Sequence, residues 1–131
     1  LVKVMTKAAE GFRLSEGVLE EAFQRAGGMA RALLVTHPSN PMGHVYSEDE
    51  LSNAVAWARS KNLHFVSDEI YACSVFGTSS FSSVASLLKR KSEEGREKNL
   101  QLFPSESSRQ NEGMGEDVHV LWGLSKDFGL S

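Results

Sequence analysis

Four polar residues in this sequence have the types and order to act on a carbonyl compound: Asn40, Asp68, Tyr71 and Lys126. An unprotonated lysine amine attacks an aldehyde and forms a Schiff base. If that aldehyde sits on a ring with a basic nitrogen, an anion opposite the nitrogen keeps it protonated, and Asp68 offers one. The Tyr71 phenol and the Asn40 amide could hydrogen-bond a ring oxygen beside the aldehyde. Each residue also has an ordinary reading. Lys126 could be an exposed lysine after a strand, Asp68 a turn acid or helix cap, Tyr71 a ring packed under a loop, and Asn40-Pro41 a plain turn. The chemical reading depends on the elements bringing the set together.

Those elements alternate. A short β-rich run, "LVKVM" (1–5), precedes a helix that Ser15 could cap and that runs to about residue 26, with Val18, Leu19, Ala22 and Phe23 on one face. Gly27-Gly28 would end it. "RALLVT" (31–36) is a near-continuous apolar strand of the kind buried on both faces of a parallel sheet. "HPSNPMGH" (37–44) is loop, and Ser47 with Glu50 forms a capping box opening a helix to about Lys61, with Leu51, Ala54, Val55 and Ala58 as its apolar stripe. "LHFVS" (63–67) is a third strand and 82–91 a short helix. The polar stretch 92–117 reads as an insertion or disordered loop, and "VHVLW" (118–122) as a last strand. The alternation predicts an α/β fold, a three-layer sandwich around a mostly parallel sheet.

In such sheets ligands bind outside the carboxyl ends of the strands. The asparagine loop follows the 31–36 strand, Asp68 and Tyr71 follow 63–67, and Ser125-Lys126 follow 118–122, so all share one rim. Pyridoxal 5'-phosphate is a ring aldehyde of the kind described, and a lysine Schiff base with an acid at the pyridine nitrogen is its usual protein frame. It is the cofactor expected here, with Asp68 at the nitrogen.

The totals exclude several classes. The 131 residues carry a net charge of −3, and their basic residues are scattered apart from Lys89-Arg90-Lys91, so no nucleic-acid surface is expected. No apolar stretch is long enough for a membrane helix, and the single cysteine, Cys73, excludes an internal disulfide and fits a reducing, cytoplasmic setting. No glycine-rich nucleotide-binding motif follows a predicted strand. His37, His44, His64 and His119 lack metal-ligand spacing and are read as structural, with no metal expected. Cys73, Trp57 and Trp122 are read as core, and Glu69 as a turn or capping acid without a catalytic role. A first residue other than Met and an end soon after Lys126 suggest a piece of a larger protein.

"HPSNPMG" (37–43), "SDEIY" (67–71) and "GLSKDFGL" (123–130), in this order, resemble the fold-type I, class I/II pyridoxal-phosphate-dependent aminotransferases. The likeness extends to 1-aminocyclopropane-1-carboxylate synthase and its aminotransferase-like relatives, and covers the chain apart from 92–117. It implies that residues 1–131 are part of the large, cofactor-binding domain. Lys126 would be the Schiff-base lysine and the base moving the substrate's α-proton, Asp68 the partner of the pyridine nitrogen, Tyr71 and Asn40 ligands of the phenolic oxygen, and Ser125 a phosphate contact. The substrate would be an α-amino acid, and the full-length protein a homodimer. Transamination and cyclopropane-forming elimination from an S-adenosylmethionine-type substrate both stay open. Gly123 stands where many synthases have a phosphate-binding serine, and His37 where an asparagine is usual. A second functional reading, a non-catalytic remnant acting through protein interaction, also stays open.

Overall fold

Three apolar runs form the sheet because they alternate with helices that can cover it. The computed structural model describes residues 1–77, 80–99 and 113–129. Its elements run α1 (Glu16–Arg25), β1 (Ala32–Thr36), α2 (Glu48–Ser60), β2 (His64–Asp68), α3 (Val84–Asn99), β3 (Val118–Leu121) and α4 (Leu124–Asp127), with single 3₁₀ turns at Ala8–Glu10 and Ala72–Ser74. The strands lie in the order β1-β2-β3, both pairs parallel, as the alternation predicts.

The helix starts follow their sequence signals. Ser47 accepts from the Glu50 N–H, and the Glu50 carboxylate accepts from the Ser47 N–H, so the capping box is complete. The other Glu50 oxygen accepts from the Leu14 N–H at 3.2 Å, tying the approach to α1 onto α2. At the far end of α1 the chain turns through Gly27 and Gly28, whose φ values of 57° and 76° favour glycine.

Leu33 and Val35 of β1, Phe65 and Ser67 of β2, and Val118 of β3 point to one face and are buried. Leu51, Ala54, Val55 and Ala58 of α2, Val84, Leu87 and Leu88 of α3, and Leu19 of α1 complete this core. Phe23 packs edge-on against Trp57, with ring centres 5.8 Å apart. The opposite face carries Leu34, Val66 and Leu121, and it is open: Leu34 is 55% and Leu121 52% exposed. Among the described residues, helices cover one face of β1. The described residues supply two layers, helices and sheet.

Four expectations change. Residues 1–5 join no ladder and instead line, with α1 and β1, a groove beside the sheet. Trp122 is 52% exposed and Cys73 is exposed, so neither is core. Helix α3 continues past Lys91 to Asn99, through the first part of the stretch read as a polar loop. That segment is rich in Glu, Lys and Arg, which favour helix without an apolar stripe, and Arg90 pairs with Glu94 one turn on. Residues 100–112 of the expected insertion lie outside the described residues. Where the chain returns, Arg59 of α2 grips it: Nε donates to Asp117 Oδ2 at 2.6 Å and Nη2 to the Gly113 carbonyl at 2.6 Å.

Candidate functional site

Register brings the strand ends into line. Thr36 of β1 pairs with Asp68 of β2, which pairs with Leu121 of β3. Because all the strands are parallel, the loop 37–44, the segment 69–74 and the turn 122–127 leave the sheet at one rim. The backbone reinforces this, as the His37 N–H donates to the Asp68 carbonyl at 2.9 Å and the Glu69 N–H to the Leu121 carbonyl at 2.8 Å.

The asparagine loop is closed by its own hydrogen bonds. The Ser39 N–H donates to the His44 carbonyl at 2.9 Å, and the His44 N–H to Ser39 Oγ at 3.0 Å. Both His37-Pro38 and Asn40-Pro41 are cis. His37 is fully buried beneath the loop and stacks on Phe81 at 4.8 Å. Its Nδ1 accepts from the Tyr46 N–H at 3.3 Å, so the proton lies on Nε2, which donates to the Ser82 carbonyl at 3.3 Å. Burial pushes this imidazole's pKa down, which favours the neutral ring that both bonds require. The structural reading of His37 stands.

At the loop's tip Asn40 Nδ2 donates to the Tyr71 hydroxyl at 3.4 Å, the outer limit of a hydrogen bond. The two residues line one pocket of about 460 Å³ with Ser39, Ser74 and Phe76. The pocket wall does not extend to Asp68 or Lys126. Asp68 ends β2 on the open face, one oxygen accepting from the Ile70 N–H at 3.3 Å. Among the described residues its other oxygen has no hydrogen-bond partner. Ser125 and Lys126 lie exposed in α4, and neither side chain has a hydrogen-bond partner among the described residues.

Two acids next to the expected residues do more than the sequence reading assigned. Glu69 is buried, and its Oε1 accepts from Ser67 Oγ and from the Val84 N–H, both at 2.9 Å. It thereby caps α3 and fixes the turn after Asp68. Asp127 carries no role in the sequence reading. Its Oδ2 accepts from the Cys73 N–H at 3.1 Å and from Trp122 Nε1 at 2.9 Å, and its Oδ1 from Ser74 Oγ at 3.1 Å. Partial burial opposes ionisation, but these donors hold its carboxyl below the usual range. Asp127 in turn pushes the Cys73 thiol pKa up, which disfavours a nucleophilic thiolate. A usable signal for Asp127 was the short "LSKD" turn, which has too few apolar residues to be held by packing.

Comparison with known proteins gives a consistent result. The family model for aminotransferase class I and II matches residues 1–131. The chain is 36% identical over 133 aligned residues to 1-aminocyclopropane-1-carboxylate synthase 9 of Arabidopsis thaliana, covering 99% of this chain and 25% of that protein. The chain thus spans about a quarter of the length of the curated relatives it matches. Among solved structures, an aromatic aminotransferase from Pyrococcus horikoshii superposes with a TM-score of 0.70 at 24% identity, over 99% of this chain and 28% of that one. A pyridoxal-phosphate-bound putative aminotransferase from Clostridium difficile gives a TM-score of 0.57 at 17% identity, over 83% of this chain and 22% of that one. These two likenesses establish the fold alone.

Proposed function

The chain belongs to the class I and II aminotransferase family, and from that premise we propose that the full-length protein transforms an α-amino acid with pyridoxal 5'-phosphate. The observation that carries the reading is the common rim, where Asp68 ends the central strand between the Asn40–Tyr71 pair and the turn holding Lys126. This donor set fits the cofactor's chemistry: a carboxylate with an unused oxygen for a ring nitrogen, an amide and a phenol for a ring oxygen, and a primary amine for an aldehyde. When bound, the cofactor supplies an aldehyde for a lysine Schiff base and a protonated ring that takes up an electron pair. Asp68 would hold the ring nitrogen and favour its protonation, Tyr71 and Asn40 would hold the phenolic oxygen, and Ser125 the phosphate. Lys126 would hold the carbonyl carbon and serve as the base for the substrate's α-proton.

The similarity to synthases supports an S-adenosylmethionine-type substrate and cyclopropane formation. Gly123, in place of a phosphate-binding serine, favours an aminotransferase-like relative; assaying a keto acid against a cyclopropane product separates the branches. We place the protein in the cytoplasm as a homodimer. No helix among the described residues is long and apolar enough to cross a membrane.

The decisive experiment uses the full-length protein mixed with pyridoxal phosphate, reduced with borohydride and mapped by peptide mass. The label is expected on Lys126, with the visible absorption band lost in Lys126→Ala. A band unchanged in that variant, or label on another lysine, overturns the assignment.

A further inference from the structure

We propose that Asp127 is a positioning residue: its carboxylate sets where Lys126 stands relative to Tyr71. The inference rests on the function proposed above and adds a residue to it. Helix α4 has four residues, none buried, and its cap Gly123 supplies no side-chain hydrogen bond. A single turn of helix does not hold itself, because fixing its dihedrals costs more than its few hydrogen bonds return. Lys126 therefore needs an external anchor if it is to meet a cofactor at a fixed place.

Asp127 provides it. One of its oxygens takes the indole N–H of Trp122, just after β3, together with the N–H of Cys73, and the other takes the Ser74 hydroxyl. Cys73 and Ser74 belong to the 3₁₀ turn Ala72–Ser74, whose capping residue is Tyr71. A single carboxylate thus spans the turn bearing Lys126 and the turn that begins at Tyr71. Among the described residues every side-chain hydrogen bond across that gap ends on this carboxylate. Trp122 is additionally braced edge-on by Phe128, with ring centres 6.4 Å apart, so the donor is itself held. The exposed indole, which packing does not explain, has its reason here.

The mechanical consequence is specific. Without Asp127 the α4 turn stays tethered to β3 by the chain but loses its register with Tyr71. The Lys126 amine then takes a spread of positions relative to the Tyr71 phenol, so a cofactor held there would meet the two groups out of register, and the loss would appear as a changed titration as well as a changed rate.

The test compares wild type, Asp127→Asn and Asp127→Ala as full-length proteins. Two readouts are taken: the rate of borohydride-trapped label on Lys126 at fixed cofactor, and the pH midpoint of the visible band. For Asp127→Ala the trapping rate is expected to fall by about tenfold and the midpoint to move by about 0.5 pH or more. Asp127→Asn, which keeps one acceptor oxygen, falls between. Should Asp127→Ala fail to fold, Trp122→Phe and Ser74→Ala each remove one donor to the same carboxylate and are expected to slow trapping by about two- to threefold. A folded Asp127→Ala with wild-type trapping and midpoint overturns the positioning role, as does an unfolded one accompanied by two wild-type donor variants. Wild-type protein that traps nothing on Lys126 overturns the proposed function itself, a separate result.

Discussion

Replacing Glu69 with alanine tests whether the acid after Asp68 is part of the frame rather than a solvated turn. Glu69 is 3% exposed, and one oxygen serves both the Ser67 hydroxyl and the Val84 N–H. Ser67 and Val84 are themselves fully buried, so water cannot replace the lost acceptor without opening the α3 start. Leaving one buried donor unpaired costs about 1–3 kcal/mol, and loss of a helix cap about 0.5–2 kcal/mol. These terms overlap at Val84, and the carboxylate's own desolvation is relieved, so the net is about 2–4 kcal/mol. With a denaturant slope of about 2 kcal/mol per molar urea, the unfolding midpoint drops by roughly 1–2 M. A local probe removes ambiguity from other parts of the protein: amide exchange at Val84–Leu88 is expected to accelerate by about 30- to 1000-fold, since about 1.4 kcal/mol is one decade. Glu69→Gln keeps one acceptor oxygen and is expected to recover more than half of the loss. If exchange in this segment stays within threefold of wild type, or if Glu69→Gln is worse than Glu69→Ala, the buried-acceptor argument is wrong.

The Arg59–Asp117 clamp makes stability depend on pH. The guanidinium hydrogen-bonded to Asp117 is the largest influence and holds its carboxyl pKa below the usual range. Its stabilisation is therefore complete above the unfolded value and is lost as pH falls through the folded one. Asp117→Asn is expected to cost about 1–2 kcal/mol at pH 7 by urea unfolding, with the gap to wild type closing in acid; a gap that stays constant down to about pH 2 would count against it. For Asp68→Asn, retained cofactor with turnover reduced about 100-fold is expected, measured by absorbance and product formation. Wild-type turnover in that variant removes the ring-nitrogen role.

The sequence was legible where one short signal decides the outcome. Ser47 and Glu50 mark a helix start by local chemistry, and the apolar run 32–36 can hardly be anything but a strand between helices. Parallel crossovers then put Asn40, Asp68, Tyr71, Ser125 and Lys126 on one rim without any side-chain detail. Other features depended on partners distant in the chain. Trp122 looked like core because it follows a strand, yet its indole serves Asp127. Glu69 looked like a turn acid because nothing local shows Val84 arriving above it. The Arg59 grip on Gly113 and Asp117 joins segments more than fifty residues apart. The end of helix α3 is not marked by an apolar stripe, because Glu, Lys and Arg carry the helix there by propensity. Which elements cover β1 is hidden for a related reason: an apolar run records that a strand is apolar, not which neighbours lie against it.

Strand pairing also decides where this chain can change length. Asp68 shares its side of the sheet with Val66 and His64 because strand side chains alternate. Dropping one residue inside β2 would turn the acid through the sheet toward the helices, leaving every other part of the rim intact but without its anion. The crossovers carry no such parity. Variation in loop length can accumulate between α3 and β3 over evolutionary time, while the few residues that lead to Asp68 must keep their count.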